Sequence, residues 1–267
     1  MSNPHHRALV KLIKGCSHRH NLYEVFQDFV ELASLAVANS VDLAQAPKRE
    51  ERYLQIIGKY DQEERRCFPQ MLAEVVVAME AGPCDVLGSI FGELELGNAR
   101  TGQFFTPFEL CRLMACMTVG DGQEMRALIA ERGYVTANEP ACGAGAQILA
   151  LVEAMQQAGI NYQQHLHVTA VDVDARAVHM AYLQLSLTHV PAIIIHGNTL
   201  TLEEHEHWKT PAHILGLWDR KLRRGYALGS QMDIGEIVEV VAPAAVAVPE
   251  IAAPAGRAQL TLFGEAA

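Results

Sequence analysis

The 267-residue chain has no run approaching the roughly 20 apolar residues that cross a bilayer, and no basic N-terminal start leading into an apolar stretch. These absences argue against a membrane span and a secretory leader, so a globular chain with a cytoplasmic address is expected. The six cysteines, at 16, 67, 84, 111, 116 and 142, contain no Cys-x-x-Cys pair and no regular spacing. That argues against a disulfide framework or a structural zinc site and predicts reduced thiols, mostly in packing positions. Positive charge is scarce as well: 21 Lys and Arg against 31 Asp and Glu leave a net charge of −10. Nonspecific affinity for nucleic acid comes from basic side chains displacing counterions, so any DNA contact must be local or shared. The one dense basic stretch, Arg220, Lys221, Arg223 and Arg224 in WDRKLRRG, is the candidate for phosphate contact; its plainer reading is a solvated helix face. The chain does have apolar material, with 50% hydrophobic residues, enough for one sizeable core and a smaller appendage.

Residues 22–46 place apolar side chains at helical spacing, with Pro47 as the stop, and 49–81 read as a second helix ended by Gly82-Pro83. A short third helix covers DVLGSIFGELEL, so 1–97 form a helical N-terminal region, joined by GNARTG to a different pattern. From Thr106 helices and strands alternate: helix 108–119, strand 134–138, helix 148–157, strand HVTAVDV, helix 175–187, strand AIIIHGN. Strands separated by helices of about a dozen residues imply parallel pairing. The fold class is therefore α/β, with a truncated Rossmann-like sheet over 98–228. Residues 229–267 form a tail rich in Ala, Val and Pro, where Pro243, Pro249 and Pro254 rule out continuous helix and central strand; a flexible linker is expected.

The first strand of this half runs into NEPACGAG, residues 138–145. In such a sheet ligands sit at the carboxyl ends of the strands, and Gly143 and Gly145 let backbone approach a ligand with no Cβ in the way. Asp172, at the end of the second strand, suits the two hydroxyls of a ribose, and Asn198, at the end of the third, suits an adenine edge. The turn lacks both G-x-G-x-x-G and G-x-x-x-x-G-K-[ST], so a nucleoside without a phosphate fits better than a dinucleotide or a triphosphate. Glu139 could meet a cationic group such as an ammonium.

Four segments resemble a known family. GQFFTP (102–107), NEPACGAG (138–145), AVDVD (170–174) and HGNTL (196–200) are similar to motifs X, I, II and III of the adenine-N6 DNA methyltransferases, in particular the modification subunits of type I restriction systems. DVLGSIFGELEL also resembles the helix that precedes the FTP loop there. The resemblance spans about residues 84–200 and implies a class I methyltransferase sheet, S-adenosylmethionine as cofactor and DNA as substrate. By it, Phe105, Thr106 and Pro107 would touch the methionine part, and Glu139, Pro140, Ala141, Gly143 and Gly145 would form the cradle. Asp172 and Val173 would hold the ribose and Asn198 the adenine. The FTP element disfavours a small-molecule methyltransferase.

The family's catalytic signature, a [DNS]PP[YF] loop after the fourth strand, has no counterpart, because the chain contains no Pro-Pro at all. Thr210, Pro211 and His213 in TPAH are the nearest catalytic candidates. The same residues also read as a helix start, with Thr210 as N-cap and Pro211 in the first turn. The preceding EEHEHWK cannot be a buried apolar strand. Two readings stay open: a DNA methyltransferase whose missing parts are divergent or supplied by a partner subunit, and a non-catalytic module that binds S-adenosylmethionine, DNA or protein.

Near the end of the tail, QLTLF (259–263) resembles the peptide by which bacterial replication and repair proteins bind the sliding clamp. Gln259 would be its polar anchor, with Leu260 between, and Leu262 and Phe263 would enter an apolar pocket; the alternative is that the segment folds back onto the body. His5, His6, Cys16, His18 and His20 match no metal template and are expected as solvated side chains on a frayed terminus, and His205 and His207 likewise. Cys142 is expected to pack rather than react, and no metal site is expected.

Overall fold

The computed structural model describes residues 4–94 and 105–233 in full and the backbone of Leu260–Thr261. Five helices come first: α1 (Pro4–Cys16), α2 (Leu22–Asn39), α3 (Ala46–Ile57), α4 (Gln62–Met79) and α5 (Val86–Glu93). They correct the sequence reading in three places. Pro47 is not a stop; it lies in the first turn of α3, where its missing N–H costs nothing. The helix expected over 49–81 is two helices, because Asp61 accepts from the amides of Glu63 and Glu64 while Glu64 reaches back to the Asp61 N–H, a capping box that restarts the chain. The terminus expected to fray is α1, whose buried Leu9, Val10 and Ile13 form one apolar stripe against α4. His5 and His6 there meet Glu74 at 2.8 Å and Glu93 at 2.7 Å instead of standing in solvent.

The second half adds α6 (Phe108–Val119), α7 (Gln123–Arg132), β1 (Val135–Glu139), α8 (Ala146–Gln157), α9 (Tyr162–His165), β2 (Leu166–Asp172), α10 (Ala175–Leu187), β3 (Ala192–Asn198), β4 (Glu203–Lys209), α11 (Pro211–Leu215), α12 (Trp218–Arg224) and the two-residue β5 (Leu260–Thr261). The sheet order is β4-β3-β2-β1-β5. β1, β2 and β3 are parallel, with α8 and α10 in the crossovers, as the alternating pattern predicts. β5 pairs in parallel with β1 through Ala137↔Leu260 and Asn138↔Thr261. The remainder of the tail, with Gln259, Leu262 and Phe263, lies outside the described residues, as do GNARTG and Phe104.

EEHEHWK forms a strand, though not a buried apolar one. As β4 it pairs antiparallel with β3 along the sheet edge, where only Trp208 needs burial, so the polar sequence is compatible with it. Trp208 is held by His179 at 4.9 Å, Tyr182 at 5.2 Å and the Arg49 guanidinium at 4.7 Å from its ring.

α10 is buried almost all round, from Ala177 to Ser186, because it lies between the sheet and α2. Ser34 of α2 donates to the His179 carbonyl at 3.0 Å across that contact. One apolar core therefore runs through the helical region and the sheet half. Each fully buried Leu in it contributes about 1.5–3 kcal/mol, so the helices are structurally bound to the sheet that they precede in sequence.

Candidate functional site

β1, β2 and β3 end side by side at Glu139, Asp172 and Asn198, and the glycine turn folds across their tips. The Cys142 N–H donates to the Val171 carbonyl at 2.9 Å and the Gly143 N–H to Asp172 Oδ2 at 2.8 Å. The Gly145 N–H returns to the Cys142 carbonyl at 2.8 Å, and Thr199 Oγ1 donates to the Pro140 carbonyl at 2.7 Å. The structure thus brings the turn, Asp172 and the end of β3 together. Gly143 and Gly145 have φ of +52° and +89°, where a Cβ is strained. At Gly143 a Cβ would also lie 2.9 Å from the Phe105 ring, so that ring rests directly on the turn.

Each carboxylate has a distinct setting. Asp172 uses both oxygens on backbone, Oδ2 on Gly143 and Oδ1 on the Asp174 N–H at 2.9 Å. It first organises the turn, and its remaining lone pairs can still accept from ligand hydroxyls. Glu139 is buried, and its Oε2 has no hydrogen-bond partner. Burial, with the nearby Asp172 charge adding to it, pushes the Glu139 carboxyl up to about 7, while the Ala141 N–H pulls the other way. A buried carboxylate with an unpartnered oxygen is a receptor for a cation. Asn198 spends Oδ1 on the Leu200 N–H at 2.9 Å, holding the β3–β4 turn. Thr106, Pro107 and Val173 stand exposed at the rim. Cys142 is buried, and burial holds its thiol well above the usual range, which suits a packing residue.

The catalytic candidates lie elsewhere. Thr210 is fully buried, accepts from the Ala192 N–H at 3.0 Å and donates to the Val190 carbonyl at 2.7 Å; it caps α11 with Pro211 in the first turn. His213 faces His167 Nε2 at 2.9 Å and Asp219 at 3.2 Å. Both contacts are at the amino ends of β2 and β3, because antiparallel β4 carries the chain back down the sheet. Seven residues of strand, about 20 Å, separate TPAH from the glycine turn. The same displacement applies to α12, which carries Arg220, Lys221, Arg223 and Arg224: its buried Trp218 packs on Tyr134 and His167 at that amino end. A cavity of about 850 Å³ between α2, α3, α10 and β4 includes none of the strand-tip residues.

Sequence reasoning missed Gln184, which is fully buried and donates to the Ala144 carbonyl at 2.8 Å, and Phe91, whose ring lies 5.1 Å from that of Phe105. Neither carries a sequence signal, since both look like ordinary helix positions.

Residues 86–216, just under half of the chain, match the N-6 DNA methylase family. That segment is similar to the N-6 DNA methylases. A comparison with curated proteins finds no match. Among solved structures, a protein of Listeria monocytogenes assigned to the class I S-adenosylmethionine-dependent methyltransferases aligns at 14% identity and TM-score 0.42, over 74% of this chain and 55% of that one. The methyltransferase subunit of a type I restriction-modification system from Streptococcus thermophilus aligns at 20% identity and TM-score 0.35, over 71% of this chain and 38% of that one. The chain thus spans about half the length of the first and less of the second.

The residues around the glycine turn fit S-adenosylmethionine on their own chemistry. The buried, unpartnered oxygen of Glu139 matches the cofactor's ammonium, while the Cβ-free faces of Gly143 and Gly145 are taken up by Phe105 and by Ala181 and Leu185.

Proposed function

We propose that the glycine turn binds S-adenosylmethionine, with Glu139 on the ammonium, Asp172 and Val173 at the ribose, Asn198 at the adenine, and Phe105, Thr106 and Pro107 over the methionine part. The observation that carries this reading is the unpartnered buried oxygen of Glu139 beside a turn that Asp172 holds open. When bound, the cofactor supplies a methyl group on a positively charged sulfur. The residues of this chain would bind and orient it, and the similarity of residues 86–216 to the N-6 DNA methylases supports a DNA adenine amino group as the acceptor. We further propose that the groups gripping the target base come from a partner subunit. Among the described residues no Pro-Pro loop stands at the carboxyl end of the sheet, and TPAH is at the other end. Arg220, Lys221, Arg223 and Arg224 would contact DNA phosphates well away from the transferred methyl. Calorimetry with S-adenosylmethionine tests the core of this: wild type should bind, and Asp172→Ala should bind about 10- to 100-fold more weakly, the loss of one or two charge-assisted hydrogen bonds. Equal affinity in the two would remove the turn as the site.

The second reading is a non-catalytic module recruited to replicating DNA through Gln259, Leu260, Leu262 and Phe263. Pairing of Leu260–Thr261 with β1 favours the alternative in which the segment returns to the body, so the clamp would have to draw it off the sheet. Two backbone pairs are a weak hold against a partner pocket that takes Leu262 and Phe263. Pull-down with the sliding clamp should recover wild type and lose Leu262→Ala/Phe263→Ala; equal recovery refutes clamp binding.

A further inference from the structure

Gln184 is 0% exposed in the middle of α10, and its amide joins three separate parts of the chain. Nε2 donates to the Ala144 carbonyl of the glycine turn at 2.8 Å and to Asp85 Oδ1 at 3.0 Å, while Oε1 accepts from the Leu87 N–H at 3.0 Å. These partners fix which way the amide points: reversed, it would set its oxygen against two acceptors and its NH2 against an N–H. Asp85 is the N-cap of α5, buried, and accepts from the Gly88 N–H at 2.8 Å. A Cβ at Gly88 would collide with the Asp85 carboxylate, so glycine there leaves room for this cap. The Ala144–Gly145 peptide is thereby pinned on both sides, its carbonyl by Gln184 and its N–H by the Cys142 carbonyl. The far end of α5 reaches the same turn through Phe91, which packs on Phe105, the ring that rests on Gly143.

We infer that Gln184 is a positioning residue for the cofactor: with α5 as a strut, it sets the conformation of the glycine turn and makes cofactor affinity depend on how the N-terminal helices are seated. This rests on the reading of the turn as the S-adenosylmethionine site. The helical region is then part of the binding apparatus, since α1, α2 and α4 pack on α5 or α10 and so hold both ends of the clasp. Any event that shifts α5, such as docking of another subunit on the helices, would be read at the turn.

Two variants separate positioning from plain stability. Gln184→Met keeps the volume and removes both links, so it should lower Tm and weaken S-adenosylmethionine binding by about tenfold or more, the effect of one lost buried hydrogen bond. The exchange Asp85→Asn/Gln184→Glu rebuilds the helix clasp, because the amide now at position 85 can donate to the carboxylate now at position 184, which still accepts from the Leu87 N–H. It sets that carboxylate against the Ala144 carbonyl, however, so Tm should recover while affinity stays weak. Affinity that recovers together with Tm, or that is unchanged in Gln184→Met, overturns the inference; should Gln184→Met fail to fold, the exchanged pair alone decides. Hydrogen exchange at the Gly145 amide in the cofactor-free protein reads the turn independently. It should be faster in both variants than in wild type even if wild type binds no S-adenosylmethionine, and unchanged exchange also overturns the inference.

Discussion

Glu139 has to be ionised to hold an ammonium, yet burial keeps its proton on up to about pH 7. Cofactor binding below that value must therefore expel the proton, and affinity should fall about tenfold for each pH unit below 7 and be flat above it. Titration calorimetry at pH 6 and pH 8, in buffers of different ionisation enthalpy, should show the weaker binding and the released proton; Glu139→Gln should bind weakly with no pH dependence. For the protein without cofactor the sign reverses. The folded-state pKa lies above the ordinary value, so the stability this group contributes is full below about pH 4.5 and is lost as pH rises through about 7. That Gly143, Gly145 and Glu139 lie in one turn between a strand and a helix was legible in the sequence because the turn is local, and the position of Asp172 at the tip of the next strand followed from the alternating pattern. The use of Asp172 on two backbone amides was not legible, nor was the clasp of Gln184, since each depends on partners 29 and 40 residues away in the chain.

At the scale of elements, α11 and α12 close the amino end of the sheet over a polar chain that runs from buried His167 and His213 out to exposed Asp219. His167 Nε2 meets His213 Nδ1 at 2.9 Å, His213 Nε2 meets Asp219 Oδ1 at 3.2 Å, and Lys209 Nζ donates to Asp219 Oδ2 at 2.6 Å. Burial, with the neighbouring His213 adding to it, holds His167 down to about 3; burial and the Lys209 charge also lower His213, while the Asp219 charge opposes both. Lys221 lies over Trp218 on the same side and disfavours a second positive charge at His167. A lowered histidine contributes stability that is full above its unfolded value near 6.5 and is lost as pH falls below it. Between pH 6.5 and 5 the loss from His167 alone is about 2 kcal/mol. Trp218 is buried against His167, so in a Trp208→Phe background its fluorescence should report the closing helices loosening on that acid limb. His167→Gln should move the transition to lower pH, and an unchanged midpoint would dissociate the histidine chain from the closure. The sequence pointed to the α11 cap because Thr210 and Pro211 obey a local rule. It did not show that EEHEHWK forms β4, because an edge strand with one buried residue has no apolar periodicity to read.

For the molecule as a whole, the direction of β4 governs what the chain can do alone. A strand parallel to β3 would deliver its following loop to the carboxyl end, beside the glycine turn; β4 runs the other way and delivers TPAH and the basic helix α12 to the amino end, about 20 Å from it. The net charge of −10 adds a second obstacle, since a duplex drawn to α12 finds no compensating positive field across the rest of the surface. The chain by itself should therefore bind S-adenosylmethionine and show very little or no methyl transfer. Incubation with tritiated cofactor and mixed-sequence DNA checks this directly. Low salt should strengthen any DNA retention through Arg220, Arg223 and Arg224 without raising incorporation, because retention and transfer are served from opposite ends of the sheet. Robust label in adenine, abolished by Asp172→Ala, would mean that a catalytic group of this chain reaches the turn by another path, and would remove the need for a partner subunit.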